Sequence, residues 1–170
     1  MNLYLMRHAI AAEPDEHTED SQRPLTEKGH KKLSKIARNL EKLELKFDVI
    51  LTSPYLRARQ TANVVADALD IKHKHVVKSE NLTPLGFADK LVEEIKLLDE
   101  ISTRKPVENL LLVGHEPFLS QLVGMLVAGD ASLSIDMKKA GLCKLSIGQL
   151  TYGRCATLEW LLTPAQLTAI

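Results

Sequence analysis

The sequence predicts an α/β fold, a three-layer α/β/α sandwich whose central sheet is mostly parallel with an antiparallel addition at the C-terminal end. Short, continuously apolar runs of strand length alternate with segments of helical period, which is the pattern of a parallel sheet buried on both faces. The last two β-type segments follow one another with only turn residues between them, as an antiparallel pair does. Length and composition agree with one packed unit. The 170 residues are 45% hydrophobic and 26% charged, the range of soluble globular domains, so a single domain over residues 1–170 is expected.

Asn2–Met6 is a short apolar run and reads as a buried first strand. Residues 9–25 are polar, carry Pro14 and Pro24, and read as a loop. From Thr26, a suitable N-cap, Leu33, Ile36, Ala37, Leu40 and Leu43 recur at three- and four-residue steps and predict a helix. Phe47–Thr52 (FDVILT) is β-type, and Ser53-Pro54 reads as an N-cap followed by proline in the first turn of a second helix. Residues 75–79 (HVVKS) predict a further strand. Phe87 to about Arg104 is amphipathic, with Leu91, Ile95 and Leu98 on one face. Asn109–Gly114 (NLLLVG) is a strand-length apolar run, and a helix is expected from Glu116-Pro117. Two β-rich segments, at about 140–147 and 154–162, close the chain around Gly148 and Gly153. There are no internal repeats.

The chain carries 22 basic and 22 acidic residues, a formal net charge of zero. A general nucleic-acid binder needs a basic excess, so no nucleic-acid partner is expected. Cys143 and Cys155 both lie in apolar context and read as reduced, buried thiols. The N-terminal segment meets a charge at Arg7 and does not read as a signal peptide. No stretch approaches the roughly 20 apolar residues of a membrane span. A cytoplasmic protein with no membrane partner is expected, with a monomer as the default state.

Ligands of open α/β sheets bind beyond the carboxyl ends of the strands. Three short motifs fall there: Arg7-His8 after the first strand, Ser53-Pro54-Tyr55-Leu56-Arg57 after FDVILT, and Gly114-His115-Glu116-Pro117 after NLLLVG. If the three strands are neighbours, Arg7, His8, Arg57 and His115 meet in one pocket. That set suits a phosphoryl group. Arginine offers paired, charge-assisted donors to phosphate oxygens. A neutral imidazole can attack phosphorus, and a second can donate to an oxygen on which charge builds. Helices starting near Ser53 and Glu116 would add backbone donors. No cofactor or metal is required, and the remaining histidines, His17, His30, His73 and His75, do not show metal-ligand spacing. Each residue alone also has an ordinary structural reading: an exposed arginine, or a hydrogen-bonded core histidine.

The motifs LYLMRHA at 3–9, RPLTEKG at 23–29, ILTSPYLRARQTA at 50–62 and LLLVGHEP at 110–117 together resemble the histidine phosphatase, or phosphoglycerate mutase-like, superfamily. Chain length, RPLTEKG and NLTPLG at 81–86 resemble its SixA-type phosphohistidine phosphatase branch. The resemblance implies His8 as phosphoryl acceptor, with Arg7, Arg57 and His115 binding phosphate. Arg23 is an accessory candidate, bracing the loop over the pocket or pinning the helix start.

Two departures from the pattern bear on chemistry. Ala9 stands where the superfamily has glycine, which matters if that position needs positive φ or a close backbone approach. The superfamily's phosphoesterases also use a carboxylic acid in a segment aligning with Glu80–Gly86, where Pro84 now stands; Glu80 is the accessory candidate to replace it. An alkoxide leaving group gains about 10²–10⁴-fold from protonation, whereas an imidazole leaves more easily. Without the acid, phosphohistidine is the favoured substrate, in a protein such as a histidine-containing phosphotransfer domain. The alternatives are small phosphomonoesters (a sugar phosphate or nucleotide), or a phosphate-dependent binding module with little turnover.

Overall fold

The computed structural model describes residues 1–101 and 105–170. Six strands form one sheet: β1 (Asn2–Arg7), β2 (Val49–Thr52), β3 (Val76–Lys78), β4 (Asn109–Gly114), β5 (Leu142–Ile147) and β6 (Ala156–Leu162), in the spatial order β3-β2-β4-β1-β5-β6. The first four run parallel, and β5 and β6 are antiparallel additions beside β1. β1 and β4 occupy the middle, in register from Asn2 opposite Asn109 to Arg7 opposite Gly114.

Alternation along the central strands divides the core. Leu3 and Leu5 of β1, with Leu110 and Leu112 of β4, face α3 (Ala88–Ile101) and α4 (Phe118–Ala128). Tyr4 and Met6, with Leu111 and Val113, face α1 (Glu27–Lys42), α2 (Leu56–Ala68) and α5 (Pro164–Ala169). Successive strand side chains point to opposite faces, so an unbroken apolar run is what a strand covered on both sides requires. Leu3, Leu5 and Met6 are fully buried.

The helix starts have local causes. Thr26 caps α1, its side-chain oxygen accepting from the Gly29 N–H at 3.0 Å. Gly29 sits against the loop after β1, where a Cβ would lie 2.1 Å from the Ile10 carbonyl oxygen. On α3, Leu91 and Ile95 are buried and Leu98 packs beside them; the expected end of that helix at 102–104 lies outside the described residues.

Several expectations shift. The Ser53-Pro54 helix begins only at Leu56, with Tyr55 at the N-cap, because Ser53 turns its hydroxyl toward His115 at 2.8 Å. The segment at Glu116-Pro117, joined by a cis peptide, precedes a helix that starts at Phe118. Both cysteines are free thiols, but only Cys143 is buried. Cys155 is half-buried and donates to the Thr151 carbonyl at 3.3 Å, because it lies before β6 begins, on the loop from Gly148. α5, unanticipated, opens on a Thr163/Gln166 capping box and is tied to α1 where Asn39 Nδ2 donates to the Leu167 carbonyl at 2.8 Å. No helix among the described residues is long and apolar enough to cross a membrane.

Candidate active site

Because β2, β4 and β1 are neighbours, their carboxyl ends deliver the three motifs to one place. The His8 N–H donates to the Gly114 carbonyl at 3.0 Å, and the Ser53 N–H to the Val113 carbonyl at 2.9 Å. Arg57 arrives from the first turn of α2. The four residues expected to converge do so. The His8 and His115 rings lie 5.0 Å apart between centroids. Arg57 Nε donates to His8 Nε2 at 3.3 Å, and Arg7 lies at the end of β1, its Nη1 donating to the Met137 carbonyl at 2.9 Å. Tyr55 borders the set, its ring edge-on to His115 and under the Arg57 guanidinium, 5.0 Å in each case.

The tautomer of His8 follows from its contacts. Nδ1 lies 2.7 Å from the Ala9 carbonyl, which can only accept, so Nδ1 carries the proton and the Nε2 lone pair faces Arg57. Burial, and then the charges of Arg57, Arg7 and Lys139, outweigh that bond and pull the ring down to about 3. Burial, with His8 and the two arginines, likewise brings His115 down to about 3, against the raising effect of Asp20. Both imidazoles are therefore uncharged at neutral pH. Two buried nitrogens in this pocket, Arg7 Nε and His115 Nδ1, have no protein partner. Arg7 Nε is a donor, and a buried unpaired donor is costly.

Three contributing residues were not anticipated. Asp20, in a short 3-10 turn (Asp20–Gln22) of the loop after β1, accepts from Arg57 twice: through its carbonyl from Nη1 at 2.5 Å and through Oδ2 from Nη2 at 3.0 Å. Burial raises its carboxyl, but hydrogen bonds and charge from Arg23 and Arg57 prevail and hold it below the usual carboxylate range. Ser53 pairs with His115. Thr61 Oγ1 accepts from the Ala9 N–H at 3.1 Å and donates to the Arg57 carbonyl at 2.7 Å, tying the segment after β1 to α2. Thr61 stands in the quoted SPYLRARQTA motif, four residues after Arg57; Asp20 had no signal beyond lying three residues before Arg23.

The accessory candidates separate. Arg23 braces the loop, with Nη1 donating to the Ala12 carbonyl at 2.6 Å and Nε to Asp20 Oδ1 at 2.8 Å. Glu80 is exposed and lines a groove of about 660 Å³ with Lys78, Asn81, Lys90 and Glu93, a lining that includes none of the four converging residues. Ala9 is buried and is not among the residues with positive φ, so alanine is accommodated in place of glycine. Among the described residues, no group of three metal-ligating side chains comes together.

Fold and site define an α/β protein with a histidine–arginine cluster at the strand ends. Residues 3–89 match the histidine phosphatase superfamily (branch 1), and the chain belongs to that superfamily, in its SixA-type branch; it is a phosphatase. It is 37% identical over 148 residues to an uncharacterised protein of Picosynechococcus, covering 87% of this chain and 86% of that one. It is 32% identical over 130 residues to the phosphohistidine phosphatase SixA of Escherichia coli, covering 76% of each. The solved structure of the protein histidine phosphatase SixA complexed with tungstate superposes with a TM-score of 0.83 at 26% identity, covering 98% of this chain and 99% of that one.

Proposed function

We infer that this phosphatase removes the phosphoryl group from phosphohistidine in a protein, such as a histidine-containing phosphotransfer domain, through a covalent intermediate on His8. The observation that carries the reading is the orientation of His8: an uncharged ring with Nδ1–H committed to the Ala9 carbonyl and the Nε2 lone pair turned to Arg57. Relatedness to SixA supports the substrate class.

In the first step Nε2 forms a bond to phosphorus as the substrate's N–P bond breaks. The electron pair passes to the departing nitrogen, and an imidazole protonated on its other nitrogen leaves neutral. Arg57 and Arg7 hold the phosphoryl oxygens. Ser53 Oγ lies 2.8 Å from His115 Nε2; a hydroxyl that donates there leaves the His115 proton on Nδ1, to be presented to a phosphoryl oxygen as charge builds. Phospho-His8 keeps its own proton on Nδ1, held by the Ala9 carbonyl. When water attacks phosphorus, His8 therefore also departs as a neutral imidazole, and phosphate is released. No added acid is needed in either step.

Neither Glu80 nor Asp20 is placed to supply a proton, which favours N–P over O–P bonds. Glu80 is exposed in a separate groove, and Asp20, bound by two arginines, is held ionised and has no proton to give. An alkoxide would leave unaided.

The test is hydrolysis of a phosphohistidine-bearing phosphotransfer domain beside p-nitrophenyl phosphate, both in EDTA, with acid-sensitive phosphoenzyme trapped by alkaline quench. Fast loss of phosphohistidine, slow ester hydrolysis and a phosphoenzyme absent from His8→Ala are expected. Fast ester hydrolysis would move the substrate to small phosphomonoesters. Stoichiometric binding of the phosphoprotein without release would make the chain a binding module.

A further inference from the structure

The loop between β1 and α1 sends one carboxylate onto the guanidinium of Arg57, although other bonds already hold that loop. The Ala12 N–H donates to the Pro24 carbonyl at 2.8 Å, the Leu25 N–H to Gln60 Oε1 at 2.7 Å, and Arg23 Nη1 to the Ala12 carbonyl at 2.6 Å. Arg57 Nη1 meets the main-chain oxygen of Asp20 itself. The Asp20 carboxylate is thus an additional contact. Its Oδ2 takes Arg57 Nη2 at 3.0 Å, and its Oδ1 takes Arg23 Nη2 at 2.6 Å.

These bonds occupy the donors a phosphoryl group would use. Arg57 has five N–H groups, and three of them are engaged, by His8 Nε2, the Asp20 carbonyl and the Asp20 carboxylate. Carboxylate and phosphate are both anions that take paired guanidinium donors. The two partners differ in access: the Arg57 side chain is 4% exposed and that of Asp20 is 53% exposed. A buried cation is held in place while the anion on it can reach water.

On the reading that Arg57 binds the phosphoryl group, we propose that Asp20 is a positioning residue that competes with that group for Arg57, holding the guanidinium between turnovers and weakening retention of the phosphate product. The contact has opposite consequences under the two roles open to it. If Asp20 only orients Arg57, removing its charge weakens phosphate binding. If it competes, removing its charge frees Arg57 and leaves Arg23 unneutralised beside it, so phosphate binds more tightly and leaves more slowly.

Asp20→Asn is the informative variant, since it keeps the side-chain size and the main-chain bond to Arg57. Inorganic phosphate is titrated calorimetrically into the full chain, its Asp20→Asn and Asp20→Ser variants and Arg57→Gln, with kcat and KM measured on the phosphohistidine-bearing protein. The expected result for Asp20→Asn is phosphate bound about five- to tenfold more tightly, with KM and kcat both lowered. Equal or weaker phosphate binding by Asp20→Asn, with binding lost in Arg57→Gln, would overturn the competition and leave the role of Arg57 standing. Phosphate binding unchanged in Arg57→Gln would overturn both. Loss of the fold in both Asp20 variants would also overturn the proposal, by making the carboxylate structural.

Discussion

His8 and His115 spend the folded state as uncharged rings, 6% and 2% exposed, and that has a cost in acid. Each ring is held at about 3, burial being the larger cause, against an ordinary value of 6.5. Released on unfolding, they take up protons that the folded chain does not bind. Their contribution to stability is therefore unpenalised above about pH 6.5, falls as pH drops by up to about 1.4 kcal/mol per unit for each ring, and levels off only near pH 3. Denaturant titrations at about pH 7.5 and about pH 5 should show the parent losing more stability than His8→Gln, by about 2 kcal/mol. Equal losses would place a proton on His8 in the folded state. The same argument predicts that the Cε1–H resonances of both rings show no inflection between about pH 8 and about pH 5. Legibility at this scale was uneven. Arg7, His8, Arg57 and His115 could be found because each sits at a strand end or in the next turn. Asp20 could not, because its value comes from a partner 37 residues away. Nor could Ser53, whose Ser-Pro context reads as a helix cap while its hydroxyl serves His115.

Elements place these residues, and α1 shows how narrow the tolerance is. The apolar spacing from Leu33 to Leu40 and the Thr26 cap were both visible in the sequence, and both hold. What spacing does not reveal is how closely α1 approaches the loop after β1. Glycine to alanine within a helix ordinarily stabilises by about 1 kcal/mol. At Gly29 the added Cβ would lie 2.1 Å from the Ile10 carbonyl oxygen and 3.2 Å from Thr26 Oγ1, so helix or loop must shift. Gly29→Ala is expected to destabilise by about 2 kcal/mol, read as a lower denaturant midpoint. It should also lower activity, since that loop carries Asp20 and Arg23. A raised midpoint would show that propensity outweighs the close approach. Thr26→Ala, which removes the cap without adding bulk, should cost about 1 kcal/mol. The later start of α2 and the presence of α5 have the same kind of explanation. One start signal was occupied by a tertiary contact, and the other, the capping box at Thr163 and Gln166, was present but short.

Taken as a whole, the molecule completes its site late in the chain. The strand that ends in Arg7, just before His8, is the first in the chain, yet both of its neighbours, β4 and β5, come from residues 109 and beyond. The α/β alternation and the antiparallel ending were legible because strand runs and turns are local signals. The insertion of β5 beside β1 was not, because the order of strands depends on long-range pairing. That insertion has a chemical consequence. The Arg7 N–H donates to the Gly141 carbonyl at 3.3 Å, the Ala140 N–H reaches the carbonyl of Arg7 at 3.0 Å, and Arg7 Nη1 binds the Met137 carbonyl at 2.9 Å. Ala140 holds a positive φ of 63° at this turn, a strained setting that the packed strands must maintain. The C-terminal strands also complete both apolar faces, through Cys143 and Leu145 on one and Leu142 and Leu162 on the other. A fragment ending near residue 135 would expose both faces and one edge of β1. It should therefore fail to fold, seen as a collapsed amide spectrum and lost phosphate binding. The full chain should unfold in a single transition, with calorimetric and van't Hoff enthalpies equal. A fragment that folds and still binds phosphate would make β5 and β6 an accessory layer, and Arg7 would then need no support from the turn at Met137–Gly141.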